Sequence, residues 1–113
     1  MLWAMIPPIT STLIANAVQT KNMVTAGYAY WQQGRVSDLA IDTDMALIIA
    51  AVKGSARHPY EVTIAFTDLD GEDEEPLIEC TCPVGFDCKH GAAVLFAAQA
   101  RAASDADGPS GAV

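Results

Sequence analysis

Cys80-Thr-Cys82-Pro-Val-Gly-Phe-Asp-Cys88-Lys-His90 is the stretch that decides the fold, and it follows the pattern C-x-C-x5-C-x-H. Every cysteine of the 113-residue chain lies within it. Thiolates and an imidazole nitrogen are donors that zinc prefers, and four of them complete a tetrahedral shell. The spacing therefore predicts a closed Zn²⁺ site whose ligands are Cys80, Cys82, Cys88 and His90.

The turn between the two ligand pairs also fits a metal loop. Pro83 fixes φ, and Gly85 permits the positive φ that a tight reversal often needs. A disulfide would leave one thiol over, and a bridge between Cys80 and Cys82 would close a very short, strained ring. A catalytic zinc normally keeps one open position, so four candidate ligands favour a structural site.

Thiol chemistry remains the alternative class of function. A nucleophilic pair of Cys88 and His90 is conceivable, but no Asp or Asn in the sequence obviously orients the histidine. A redox sensor or enzyme would instead react through Cys80 and Cys82. We expect binding rather than catalysis, and zinc stoichiometry together with thiol accessibility separates the two classes.

The run CTCPVGFDCKHGAAVLFA, which begins at Cys80, closely resembles the SWIM zinc finger. That finger occurs in bacterial Swi/Snf-type helicases and in MuDR-like transposases. The Cys-Pro after the second ligand and the Cys-Lys-His-Gly-Ala-Ala run are the specific part. A looser resemblance, at Gly34-Arg35-Val36 and Pro59-Tyr60, is to the segment that precedes the finger in bacterial helicase-associated proteins. The resemblance implies a Cys3His zinc site and a role in nucleic-acid or protein binding, but it includes no helicase motor.

The charge balance bears on the partner. Six basic and fourteen acidic residues give a net charge of −8, which opposes non-specific attraction to nucleic-acid phosphates. The resemblance implies DNA or a DNA-acting protein, such as a separately encoded Swi/Snf-type helicase. The acidic balance favours a protein partner with weak DNA binding by the isolated chain. The candidate contact residues are Arg35, Lys53, Arg57 and Lys89. Two arrangements are open: the four converge beside the finger as a basic patch, or they are scattered over the surface.

Cysteine use and the N-terminus bear on location. Three cysteines that bind a metal suit a reducing compartment, so we expect a cytoplasmic protein. The apolar residues 1–6 lack a basic n-region and are followed by Pro7 and Pro8. We therefore expect neither a signal peptide nor a membrane span.

The hydrophobic pattern predicts an α+β fold. A helix capped by Thr10 or Ser11 is followed by a second helix that ends at Gly34. The period then becomes strand-like, which predicts a three-stranded antiparallel meander with one buried face. A fourth strand over 76–79 leads into the first two ligands, and a helix over 90–103 holds the second pair.

The predicted organisation is one domain with four segments. These are a helical segment over 1–34, the meander over 35–79, the finger and helix over 80–103, and a disordered tail over 104–113.

Three further features have simple interpretations. The aromatic residues of the second helix, including Tyr28, Tyr30 and Trp31, are expected to fill a small core rather than stack on bases. The acidic stretch 68–75 is interpreted as a solvated hairpin loop, because its glycine is misplaced for a calcium-binding loop. His58 is interpreted as a solvated loop residue.

Overall fold

The computed structural model describes residues 9–18, 20–42, 45–54, 57–66, 76–83, 85 and 88–112. In this part of the chain, three helices accompany one four-stranded antiparallel sheet, which confirms the α+β prediction. The helices are α1 (Ser11–Ala17), α2 (Lys21–Gln32) and α3 (Lys89–Ala112). The strands, which lie side by side in chain order, are β1 (Val36–Asp42), β2 (Leu47–Val52), β3 (Tyr60–Ala65) and β4 (Leu77–Cys80).

Local capping explains where the first two helices begin and end. The Thr10 hydroxyl accepts a hydrogen bond from the Leu13 N–H at 3.1 Å, which satisfies one of the unpaired donors of the first turn of α1. Thr20 caps α2 in the same way. Gly34 follows the end of α2 with a φ of 73°, a left-handed conformation that glycine adopts without strain. The predicted cap at Thr10 and the predicted end at Gly34 are confirmed.

The sheet has one buried face, as the alternating pattern predicted. Ile48, Ile64 and Ile78 point to this face and are fully buried under α3 and the N-terminal helices. The register pairs Val62 with Cys80, so the first metal-ligand candidate lies at the end of an established strand ladder. The sheet therefore fixes the position of Cys80 relative to β3.

Small residues allow α3 to lie close to both of its neighbours. A Cβ atom on Gly27 of α2 would lie 2.8 Å from the carbonyl oxygen of Lys89, at the start of α3. On the opposite side of α3, a Cβ on Gly91 would overlap the side chain of Ile78 in β4. The first turn of α3 is thus held between α2 and β4 with no room for another side chain.

The C-terminal end differs from the prediction. The sequence predicted a helix that stops near residue 103 and a disordered tail over 104–113, whereas α3 continues to Ala112. Propagation from packed first turns costs little for good helix formers such as Ala102 and Ala103. Gly108 and Pro109 disfavour a helix by about 1 and about 3 kcal/mol, so composition argued against the helix that the structure shows there.

Two other expectations concern the acidic loop and the absence of a membrane span. The acidic hairpin loop over 68–75 lies outside the described residues. Within them, no helix is both long and apolar enough to cross a membrane.

Candidate metal centre

The four predicted ligands come together at the junction between β4 and α3. Their candidate ligand atoms all lie within 4.8 Å of one another. Nδ1 of His90 is 3.7 Å from Sγ of Cys80 and 3.6 Å from Sγ of Cys88. Zinc bond lengths in a tetrahedral shell require about 3.6 Å between a nitrogen and a sulfur ligand. All four candidate ligands are buried, with side chains between 1% and 9% exposed: Cys80, Cys82, Cys88 and His90.

The first pair is held by a hydrogen-bonded turn at the end of β4. The N–H of Cys80 donates to the carbonyl oxygen of Gly85 at 2.9 Å, which closes the loop between the two ligand pairs. Gly85 has a φ of 87°, so the glycine predicted for this reversal is used as expected. The intervening Thr81 is hydrogen-bonded to Glu61 of β3, which ties the turn to the sheet.

The second pair occupies the start of α3. The carbonyl oxygen of Cys88 accepts the Ala92 N–H at 3.2 Å, so Cys88 is the N-cap residue of the helix. The N–H of Gly91, another donor of the first turn, lowers the pKa of Cys88 and so favours its thiolate. One side chain thus caps the helix and faces the other ligands.

Two cysteines of the cluster have opposite pKa shifts. The hydrogen bond from the Cys80 thiol lowers the pKa of Cys88 to about 3, with further lowering by His90 and the Gly91 N–H against the opposing effect of burial. The same hydrogen bond raises the pKa of Cys80 above its ordinary value, and burial raises it further. The arrangement favours one thiolate that is already formed and one thiol that must lose its proton when a cation binds.

Two tyrosines hold the imidazole of His90 in place. Its ring centroid lies 4.6 Å from that of Tyr60 and 5.6 Å from that of Tyr30. Nδ1 faces the cysteines, and a Cβ on Gly54 would lie 3.3 Å from Nε2 on the other side of the ring. Tyr60 and Gly54 are far from the histidine in the sequence, and only the tertiary structure brings both to it.

The donor set fits Zn²⁺. Three buried cysteines without disulfides and one histidine supply the sulfur and nitrogen donors that zinc prefers. Cys80, Cys82, Cys88 and His90 would hold the ion, and four protein ligands leave no position for water or a substrate. A bound zinc would therefore join β4 to α3 rather than activate a reactant.

Two of the four predicted contact residues, Arg35 and Lys89, lie at one tyrosine ring, and the main chain of a third, Lys53, is hydrogen-bonded to Arg35. The guanidinium carbon of Arg35 is 4.8 Å from the ring centroid of Tyr30, and Nζ of Lys89 is 5.1 Å from the same centroid. Arg35 also donates from Nη1 to the carbonyl oxygen of Lys53 at 3.1 Å. Arg57 is exposed, and no contact joins it to this group within the described residues. We call the group of Tyr30, Arg35, Lys53 and Lys89 the Tyr30 face.

The other aromatic residues lie partly on the surface. Tyr28 is 47% exposed and makes edge-on contacts with Trp31 and Phe96, whose rings stack on each other. The expectation that these rings fill the core is therefore wrong for Tyr28, which keeps about half of its surface exposed at the edge of the contact between α2 and α3. His58 is exposed and remote from the metal cluster, as expected for a loop histidine.

A buried four-ligand cysteine and histidine cluster between a strand and a helix defines a zinc-finger type of metal centre. The family model of the SWIM zinc finger matches residues 60–99, which include β3, β4, all four candidate ligands and the packed part of α3. No curated protein and no solved structure matches the chain. The similarity thus covers the zinc-binding segment, and no relative supports a helicase-associated context.

Proposed function

We propose that the chain is a zinc-dependent interaction module that binds a protein partner and makes weak supplementary contacts with nucleic acid. The carrying observation is that two cations, Arg35 and Lys89, lie over the ring of Tyr30, which itself lies against the ligand candidate His90. His90, Tyr30 and the two cations form one continuous series of contacts, which starts at a residue that would hold the zinc. The metal would then maintain the surface that meets the partner.

The Tyr30 face has the features of a site for anionic groups. Arg35 and Lys89 are only partly exposed, so their charges are less screened by water than those of free surface side chains. Their positions over one ring are typical of cation–π pairs, which hold long side chains in a defined orientation. Phosphates of nucleic acid, or carboxylates of a partner protein, are the groups that such a face would meet.

Charge sets the expected strength of DNA binding. Three phosphate contacts from Arg35, Lys53 and Lys89 imply a salt slope of about −2.7 on duplex DNA. The net charge of −8 works against even this attraction. DNA binding by the isolated chain is expected in the micromolar to 100-micromolar range that is typical of non-specific contacts, roughly 10⁻⁴–10⁻⁶ M. A DNA-acting protein, such as a separately encoded Swi/Snf-type helicase, would supply the remaining affinity.

The thiol-based alternative has one observation in its favour, the lowered pKa of Cys88. A reactive cysteine also needs access to its substrate, and Cys88 is 1% exposed. Alkylation by iodoacetamide separates the two functions. The zinc-loaded module should leave all three cysteines unmodified until the metal is removed, whereas a redox sensor should be modified rapidly at one cysteine with zinc present.

The test of the proposed function is an affinity capture from a lysate of the source cells, with captured proteins identified by mass spectrometry. The bait carries Arg35→Gln together with Lys89→Gln, or the single change Arg57→Gln as a charge control outside the Tyr30 face. Cys88→Ala tests dependence on the metal. We expect a partner that is captured by the unaltered module and by Arg57→Gln, and is lost with the double variant and with Cys88→Ala.

DNA is tested in parallel by fluorescence anisotropy at two salt concentrations. Micromolar or weaker binding that falls with salt, and falls further in the double variant, agrees with the proposal. Nanomolar binding of DNA by the isolated chain would contradict the preference for a protein partner. A double variant that retains every captured protein and its full DNA affinity would remove the Tyr30 face from the function.

A further inference from the structure

The sheet has a second face, opposite to α3, that no described element covers. Residues on this outer face alternate with the buried ones, and none of them is buried. Leu77 is 55% exposed and Ile49 is 39% exposed. The strand register places Leu47, Ala65 and Leu77 in one row across three strands, so that the apolar side chains are contiguous. A contiguous apolar surface on a sheet is typical of an interaction site.

The outer face has a negative border next to the metal centre. The register places Thr63 between Ile49 and Glu79, and Glu61 follows on the same side of β3. Neither glutamate carboxylate forms an ion pair with another described residue. Both line a groove of about 450 Å³ whose walls include Leu77 and Gly85 of the metal loop. The groove thus joins an apolar wall to two unpaired negative charges.

We propose that this outer face docks a basic amphipathic segment of a protein partner. Apolar side chains of the segment would cover Leu47, Ile49 and Leu77, and a lysine or arginine beside them would enter the groove between Glu61 and Glu79. The inference rests on the proposed function, because it names the chemistry of the partner that the module binds. It uses none of the residues of the Tyr30 face.

Charge favours a basic segment, rather than a second copy of the chain, as the occupant of the outer face. Two copies that met through this face would bring both pairs of glutamates together, in addition to a net charge of −8 on each chain. A basic segment would neutralise these carboxylates instead. Complementary charge is also consistent with an apolar surface with an acidic border that the described part of the chain leaves uncovered.

The probe is a synthetic amphipathic helical peptide of leucine and lysine, about 14 residues long, which spans roughly 21 Å. The peptide is titrated into the zinc-loaded protein, and binding is monitored by two-dimensional NMR. A peptide of the same composition with scrambled order controls for charge alone. We expect shift changes at β2, β3 and β4 with the amphipathic peptide, and much weaker binding of the scrambled one.

Matched variants locate the contact. Glu79→Gln should weaken peptide binding about threefold, because an exposed ion pair contributes little. Asp38→Asn is the control: it removes the same charge from the opposite side of the sheet and should leave the affinity unchanged. The double change Ile49→Ser and Leu77→Ser should weaken it about tenfold. Both apolar side chains are exposed, so this variant should keep its zinc and its fold.

Two outcomes would overturn the inference. Equal weakening by Glu79→Gln and Asp38→Asn would show general charge attraction, and sedimentation that shows a dimer lost with Leu77→Ser would assign the face to a second copy. The failure of this inference is distinct from failure of the proposed function. A partner captured by the Ile49→Ser and Leu77→Ser variant but lost with Arg35→Gln and Lys89→Gln would retain the proposed function and exclude the outer face.

Discussion

Thr81 and Glu61 exchange two hydrogen bonds. The Glu61 N–H donates to the Thr81 hydroxyl at 2.9 Å, and the Thr81 N–H donates to the Glu61 carbonyl oxygen at 3.2 Å. Thr81 lies between the ligand candidates Cys80 and Cys82, and Glu61 is the second residue of β3. The exchange extends the pairing of β3 and β4 past the end of β4. It fixes the backbone between the first two cysteines relative to the sheet.

Thr81→Val should reduce stability modestly. The change keeps a β-branched side chain but removes the acceptor of the Glu61 N–H, which typically costs about 0.5–1.5 kcal/mol. Thr63→Val is the matched control, because the Thr63 hydroxyl has no partner among the described residues. Urea unfolding of the zinc-loaded protein measures both. Equal stabilities of the two variants would show that the hydroxyl contact contributes nothing.

Gly27→Ala should destabilise the chain by about 1–3 kcal/mol through overpacking. The new Cβ would lie 2.8 Å from the Lys89 carbonyl oxygen and 2.8 Å from the Ala93 nitrogen, and backbone atoms cannot move aside cheaply. Gly34→Ala is an informative comparison, because its Cβ meets open space and only the φ of 73° is strained. Thermal unfolding that ranks Gly34→Ala as more damaging than Gly27→Ala would contradict close packing of α2 on α3.

Removal of zinc should unfold α3 before the sheet. Structural zinc supplies about 10–16 kcal/mol of binding free energy in small modules, and this energy is also folding energy. The strands of the meander keep their backbone ladder without the metal, although loss of α3 would uncover Ile48 and Ile64, whereas the start of α3 depends on the ligands. Hydrogen exchange after chelation should therefore show early loss of protection in α3 and later loss in β2 and β3.

Substitutions provide the controls for that measurement. Cys88→Ser and His90→Ala should reproduce the effect of the chelator, whereas His58→Ala removes a histidine outside the cluster and should change nothing. Thermal unfolding that is identical with and without chelator would contradict a folding role for the metal.

Zinc affinity should rise with pH. Cys88 has a pKa lowered to about 3, so it is already a thiolate at neutral pH and releases no proton when zinc binds. Cys80 has a raised pKa, so it keeps its proton until zinc displaces it. Each proton released makes binding about tenfold tighter per pH unit.

Competition with a chelator at several pH values measures this slope. Calorimetry in buffers of different ionisation enthalpy counts the protons that zinc displaces. An affinity that does not change with pH would show that Cys80 loses its proton before the metal arrives.

The sequence was informative wherever a local pattern determined the structure. The strand-like period after Gly34 predicted the antiparallel meander, and Thr10 and Gly34 marked helix boundaries through capping and left-handed φ. The metal cluster followed from spacing, because its four residues are close in the chain. The Tyr30 face depends on where α2 meets α3, which local patterns do not encode. Arg35 and Lys89 were therefore identified as candidates without the ring that orders them, and Arg57 was grouped with them although it makes no contact there.

The central claim is that zinc is held by three sulfurs and one nitrogen. X-ray absorption at the zinc edge of freshly purified protein measures this ligand set directly. We expect one zinc per chain with three Zn–S distances of about 2.3 Å and one Zn–N distance of about 2.0–2.1 Å. Folded protein without zinc, or a spectrum with two or fewer sulfur ligands, would contradict it.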